Sequence, residues 1–306
     1  MNKIVAILKN PWFTRCYLLI LIVWMLVLFY SHRGDFLSII REAKRSMILS
    51  AMATYFIVVG VINPFIHRIG YKEIGSNISF WQAFRIYHLS RIGNYLPGRI
   101  WFATNYYIFS KKMDIDSKKI ARNFLALNVL LFLVGSLCSL PIISVLNPAA
   151  QKLLIFFPLL MFAIIHPRLF SKITSFFFRD KAEKNFRYIF LAKIGALYFI
   201  TYILLGVLLF FCVMAFTATD ISNFPLIVAA SASSLIIGLL AIFAPAGIGV
   251  SEGVNTAILT QIIPLNITLI VVLTLRMVSV LIDLICALIS AVSVAREEKA
   301  VTQNVA

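Results

Sequence analysis

Six stretches of this chain are apolar runs that approach the length of a membrane crossing: about 17–30, 47–66, 123–146, 153–166, 189–216 and 267–292. A helix needs about 20 such residues to cross a hydrocarbon core, so the run at 153–166 is short and borrows from its flanks. The whole chain, 61% hydrophobic and 13% charged with a mean hydropathy of +0.95, departs from the roughly 25% charged residues of a soluble protein. The expected fold is an all-α polytopic integral membrane protein, one transmembrane domain over residues 1–306. The basic, apolar N-terminus lacks a small-residue cleavage site before "FYSHRGDF", so 17–30 reads as a retained first span. The "FLSIIREAKRSM" segment after it suits an amphipathic helix lying on the interface.

Two further apolar regions are interrupted. One, 80–109, breaks at Pro97-Gly98; the other, 225–263, breaks at "APAGIGVSEG", residues 244–253. Read as re-entrant hairpins, they leave about six full spans and put both termini on one face. Eighteen lysines and arginines then fall on the side of the termini and five on the other, the remaining five of 28 lying within membrane segments. The positive-inside rule makes the richer side cytoplasmic. The first hairpin then enters from the cytoplasm and the second from outside, the pattern of an inverted-topology repeat and a transporter architecture. The competing layout makes both regions complete kinked crossings, giving eight spans.

The breaks carry the chemistry. Pro97 removes a backbone donor and Gly98 permits unusual dihedrals. A helix restarting at Arg99 presents free N–H groups and a positive dipole end, suited to an anion. Arg85, His88, Arg91 and Tyr95 precede the break and Trp101 follows it, and guanidinium forks match phosphate oxygens. The other reading places these cations and aromatics at the interface, against lipid headgroups. In the second break, Pro245, Gly247 and Gly249 precede Glu252. Arg276, mid-span in "IVVLTLRMVSVLIDL", is its natural partner by type, and Asp283 follows seven residues later. Seven residues is about 10 Å of helix, so Arg276 and Asp283 each need another partner. Glu252, Arg276 and Asp283 read either as gating or coupling residues or as a polar network that fixes helix packing. Lys193, one turn inside its span, snorkels to the surface.

Other function classes have less to stand on. A net charge of +16 fits loops facing anionic lipid, and no nucleic-acid partner is expected. Four histidines and four cysteines are scattered without metal or disulfide spacing, so neither an enzyme nor a cofactor or metal is expected. The glycine-rich "GIGVSEG" follows no soluble strand and is not a nucleotide loop. Without an ATP motif, transport would be passive or gradient-driven.

At "YLPGRIW" and "APAGIGVSEG" the chain resembles the transmembrane region of the lysylphosphatidylglycerol synthases, the flippase-like superfamily. Members carry an early PG-x-x-W turn and a late P-x-G-x-G-x-x-E turn, followed by a span with a central arginine. Those positions are Pro97, Gly98 and Trp101, then Pro245, Gly247, Gly249 and Glu252, then Arg276. The resemblance implies a stand-alone flippase in the cytoplasmic (inner) membrane of a prokaryote. Its substrate would be a lipid with a phosphate-containing headgroup, such as a polyprenyl-phosphate sugar or an aminoacylated phospholipid. A separate glycosyltransferase or lipid-modifying enzyme is the implied partner, and small-residue faces such as "AASASSLIIGLL" suit a homodimer. The rival classes are an ion-coupled small-solute transporter and a non-transporting membrane partner of a glycosyltransferase.

Overall fold

The computed structural model describes residues 41–95, 100–145, 148–178, 186–241 and 244–305. The expected first span at 17–30, the interfacial segment up to residue 40, and the Pro97-Gly98-Arg99 break lie outside the described residues. Within them the chain is helical and strand-free: α1 (Arg45–Glu73), α2 (Phe80–Arg91), α3 (Ile100–Lys111), α4 (Ser117–Cys138), α5 (Pro148–Ile165), α6 (Pro167–Phe178), α7 (Tyr188–Met214), α8 (Phe224–Leu240), α9 (Val250–Leu259) and α10 (Leu265–Val305). Five helical stretches are long and apolar enough to cross a membrane: Arg45–Glu73, Ser117–Cys138, Tyr188–Met214, Ile221–Leu240 and Leu265–Val294. The protein is an integral membrane protein of all-α class.

α1 and α7 set the axis. They run antiparallel and are tied at both ends. At one end the Lys44 N–H donates to Ala215 O at 2.9 Å; at the other Arg187 clasps Glu73, Nη2 to Oε2 at 2.6 Å. Near its middle α1 passes through a π-helical turn, Ile57–Ile62, which buries Val58, Val59 and Gly60. One apolar core, around Ile66, Tyr71, Ile120 and Phe186, gathers near the Glu73 end. A second, around Ala51, Val213, Leu259 and Val271, gathers near the Lys44 end.

The helices of each interrupted region pack back against each other. α2 starts a short turn after Glu73, capped by Ser79 and Gln82, and runs back along α1; Asn63 Nδ2 donates to Tyr87 OH at 3.0 Å. α3 then returns beside α1, where Tyr106 OH meets His67 Nδ1 at 3.2 Å and Ser110 meets Tyr71. Asn123 of α4 donates to the same Tyr106 hydroxyl at 3.2 Å, which pins the hairpin from the far side. Each leg has 12 residues, about 18 Å of helix, too short for a core of about 30 Å. At the tip, a Cβ on Gly93 would lie 2.6 Å from the Trp101 carbonyl carbon. Only glycine lets the two strands of the turn approach so closely.

The second hairpin has its base at the opposite end. α8 begins where α7 ends, with Phe224 edge-on to Phe210. α9 lies back along α8, Ser251 Oγ donating to Ser234 O at 3.1 Å. A Cβ on Gly238 would sit 2.0 Å from that Ser251 oxygen. Its legs are unequal, 17 and 10 residues, and with its preceding turn α8 reaches crossing length by itself. The second hairpin therefore has one long and one short leg. α10 then runs parallel to α1 back to the end that holds Glu73.

Two expectations change. The 153–166 run passes as a crossing only together with α6, from which it is bent by 76°. The segment from 167, whose lysines and arginines count among the eighteen on the side of the termini as a loop over 167–188, forms helix α6 with Pro167 at its start. A fixed φ suits a first helical position. Phe170, Ser171 and Thr174 are buried on one side, while Arg168 and Lys172 are exposed on the other, an interfacial pattern.

Candidate functional site

The tips of the two hairpins touch, and a cavity of about 180 Å³ with both apolar and polar walls lies beside them. One water needs roughly 15 Å³, so the space has room for several waters or a small polar group. Arg91, Asn94 and Tyr95 come from the first tip; Ala246, Ser251 and Glu252 come from the second; Arg276 and Asp283 come from α10.

Two ion pairs face this cavity. Arg91, the last residue of α2, places Nε 2.9 Å from Asp283 Oδ1. Its other nitrogens donate to Tyr87 OH at 2.8 Å and Tyr55 OH at 2.5 Å. Asp283, 6% exposed, also accepts from Tyr55 OH at 3.3 Å and Tyr95 OH at 2.9 Å. A buried carboxylate is tolerated when paired and hydrogen-bonded in this way. The second pair is looser: Arg276 Nε lies 3.4 Å from Glu252 Oε1. Arg91, Glu252 and Arg276 remain 20–25% exposed, so these groups meet the cavity's solvent.

The backbone of the second break aims these groups. Gly247 and Gly249 have φ of 70° and 83°, and Ala246, a non-glycine, has φ of 49°. Left-handed backbone costs a non-glycine about 1–2 kcal/mol, and here it turns the Ala246 carbonyl to Arg276 Nη1 at 3.3 Å. Pro245 is buried beneath the turn. α9 starts at once, and Glu252 in its first turn accepts the Gly249 N–H at 2.8 Å. A carboxylate there also faces the positive helix end. Arg276 Nη2 and Asn255 Oδ1 are buried without a hydrogen-bond partner, and Asn255 borders the cavity.

The expected site residues separate into three groups. Arg91, Tyr95, Glu252, Arg276 and Asp283 come together at the cavity, and Pro245, Gly247 and Gly249 shape its wall. Arg85, His88 and Trp101 do not join them. His88 is 1% exposed and packed against the Phe84 and Tyr87 rings. Arg85 lies over Trp81 and borders a different groove. Trp101 is 44% exposed and borders no part of the cavity. Pro97, Gly98 and Arg99 lie outside the described residues. Sequence reasoning missed Tyr55 and Tyr87, which hold Arg91, and the Ser231, Ser234 and Asn255 wall. Their one signal was polarity at helical spacing within apolar runs.

No family model matches the chain, and no curated protein matches it.

Proposed function

We propose that this protein is a lipid translocase that passes a phosphate-bearing headgroup through the cavity between its hairpin tips while the tails stay in the bilayer. The observation that carries the reading is the meeting of two helical hairpins, based at opposite ends of the bundle, around two ion pairs. Charges among apolar helices mark substrate or ion pathways, and opposed broken helices are a transporter's way of placing a site at mid-membrane. Arg91 and Arg276 offer guanidinium forks to the phosphate, and Asn94, Ser231 and Asn255 offer amides and a hydroxyl to a sugar or aminoacyl group.

On this reading the chain is a member of the flippase-like superfamily in the inner membrane of a prokaryote. The face bearing Lys72, Lys111, Lys118, Arg168 and Arg187 is cytoplasmic. The crossings are α1, α4, the bent α5–α6 pair, α7 and α10, and the two hairpins form an inverted repeat. A separate glycosyltransferase or lipid-modifying enzyme supplies the lipid. A second reading, an ion-coupled solute transporter, draws on the same geometry, because each cavity arginine is already matched by a carboxylate that an ion or proton can release.

Reconstitution separates the two. Vesicles containing the full chain and a fluorescent phosphate-bearing lipid should move that lipid between leaflets faster than protein-free vesicles, and Arg91→Ala should remove the excess rate. Uptake of a soluble substrate with no lipid movement would instead support the solute transporter.

A further inference from the structure

The short leg of the second hairpin carries a buried side chain that neither ion pair uses. Asn255 of α9 is 2% exposed and borders the cavity, and its Oδ1 has no hydrogen-bond partner. Leaving a buried amide unpaired is costly, and the hydroxyls nearby are already used. Ser251 donates to Ser234 O at 3.1 Å, and Ser234 donates to Ser231 O at 3.0 Å. We propose that Asn255 selects the headgroup, and that the cavity takes a zwitterion: a phosphate against Arg276, joined by a short spacer to a primary ammonium held between Glu252 and Asn255. This rests on the cavity being the substrate site and names the class of head it prefers.

Three observations lead there. First, the charges on the cavity wall balance. Arg91 and Arg276 stand against Glu252 and Asp283, and no other charged side chain borders the cavity among the described residues. A head of no net charge enters such a site without leaving a surplus. Second, the Arg276–Glu252 pair is the looser one, 3.4 Å against 2.9 Å for Arg91–Asp283, and Arg276 Nη2 is buried without a partner. A phosphate oxygen supplies the acceptor that this nitrogen lacks. Third, Glu252 and Asn255 are three residues apart on α9, so their side chains share one face with about 5–6 Å between Cβ atoms. One ammonium, with three donors, can bond both, and a half-turn of the amide sets its oxygen toward that ligand.

The arrangement separates two heads of equal charge. A quaternary ammonium has no N–H to give, so it would leave the Asn255 amide unpaired and present methyl groups to it. A site built around a hydrogen bond rejects the analogue that lacks it. Ethanolamine and choline phosphates differ in this respect while carrying the same charges, so a preference between them reads the hydrogen bond and not the field.

The test uses the full chain in nanodiscs containing equal phosphatidylethanolamine and phosphatidylcholine with the same acyl chains. A photo-reactive residue replaces Leu239 on the cavity wall or, as a lipid-facing control, Phe162 of α5, 66% exposed. Position 239 should capture phosphatidylethanolamine about tenfold in preference to phosphatidylcholine, the order of one charge-assisted hydrogen bond, while position 162 shows no preference. Asn255→Leu, of similar shape, should bring 239 down to the control and leave the thermal midpoint equal or higher, because it removes an unpaired amide. Equal ratios at 239 and 162 overturn the selection, as does stronger capture of phosphatidylglycerol when it is added in equal amount. Loss of the preference together with a lower midpoint would make Asn255 a structural group and overturn its role. Glycerophosphoethanolamine, the same head without tails, distinguishes a lipid from a solute. If 239 captures no lipid, yet this compound and not glycerophosphocholine protects wild type but not Asn255→Leu against heat, the zwitterion site stands and the translocase reading falls. Equal movement of both lipids between leaflets, with equal capture ratios, leaves the translocase reading and removes the selection.

Discussion

The Arg91 guanidinium and the Asp283 carboxylate meet at 2.9 Å where the tip of the first hairpin rests on the long C-terminal helix. Tyr55, Tyr87 and Tyr95 turn their hydroxyls onto the pair. The pair thus fastens α1, α2 and α10 at one point. Removing one partner strands a charge that is largely withdrawn from water, which costs about 3–5 kcal/mol. Asp283→Ala should therefore lower the thermal midpoint in detergent sharply. Arg91→Leu combined with Asp283→Leu should cost less than the two single changes summed, the mark of direct coupling. Additive losses would show that the two groups do not act as a pair.

Two glycines give opposite expectations. A methyl on Gly93 meets the Trp101 backbone at 2.6 Å, whereas a methyl on Gly195 meets nothing within 4 Å. Gly93→Ala should open the first hairpin and destabilise by about 1–3 kcal/mol, the usual cost of overpacking. Gly195→Ala should be neutral or stabilise, by up to about 1 kcal/mol of helix propensity. Thermal unfolding of the two variants side by side checks both signs.

Gly249→Ala places a side chain at φ 83°. About 1–2 kcal/mol of backbone strain follows, and the turn relaxes at the expense of the N–H that Glu252 accepts. Glu252→Gln differs, since an amide oxygen still accepts that N–H while Arg276 loses its countercharge. It should leave stability within about 1 kcal/mol, in line with a partly exposed pair, yet change the translocation rate severalfold. Equal rates for wild type and Glu252→Gln would remove Glu252 from the pathway.

The opposed bases of the hairpins make a labelling prediction. Lys112 lies at the base of the first hairpin and Asp220 at the base of the second, on opposite ends of the bundle. Cys138, Cys212 and Cys286 are buried, so with Cys16 replaced by serine the background is low. A membrane-impermeant maleimide added to intact cells should label Asp220→Cys and not Lys112→Cys. Labelling of both from outside would contradict opposed hairpins.

The all-α membrane fold was legible because apolar runs of crossing length admit few alternatives. The second break was legible from its proline and glycines, and the Glu252–Arg276 pairing from the cost of lone charges in lipid. The grouping of Arg85, His88 and Arg91 was misleading. Each step of three residues falls about 60° short of a full helical turn. Arg85 and Arg91 therefore end about 120° apart, one on the outer groove and one on the cavity, with His88 between them turned into the protein. Tyr55 and Tyr87 were hidden because an aromatic in an apolar run looks like packing until a charge is found beside its hydroxyl. Helix α6 was hidden because its cations resemble a loop, while its buried stripe of Phe170, Ser171 and Thr174 is only one-third apolar.

The central claim is that lipid passes between the two hairpin tips. It is tested most directly by bridging them. Asn94→Cys and Ala246→Cys, both on the cavity wall, can be joined by a reducible bifunctional reagent in reconstituted vesicles while lipid movement between leaflets is followed. The account predicts faster lipid movement than in protein-free vesicles before bridging, loss of that excess on bridging, and its return on reduction. A rate that bridging leaves unchanged, or no excess rate at any stage, would contradict it.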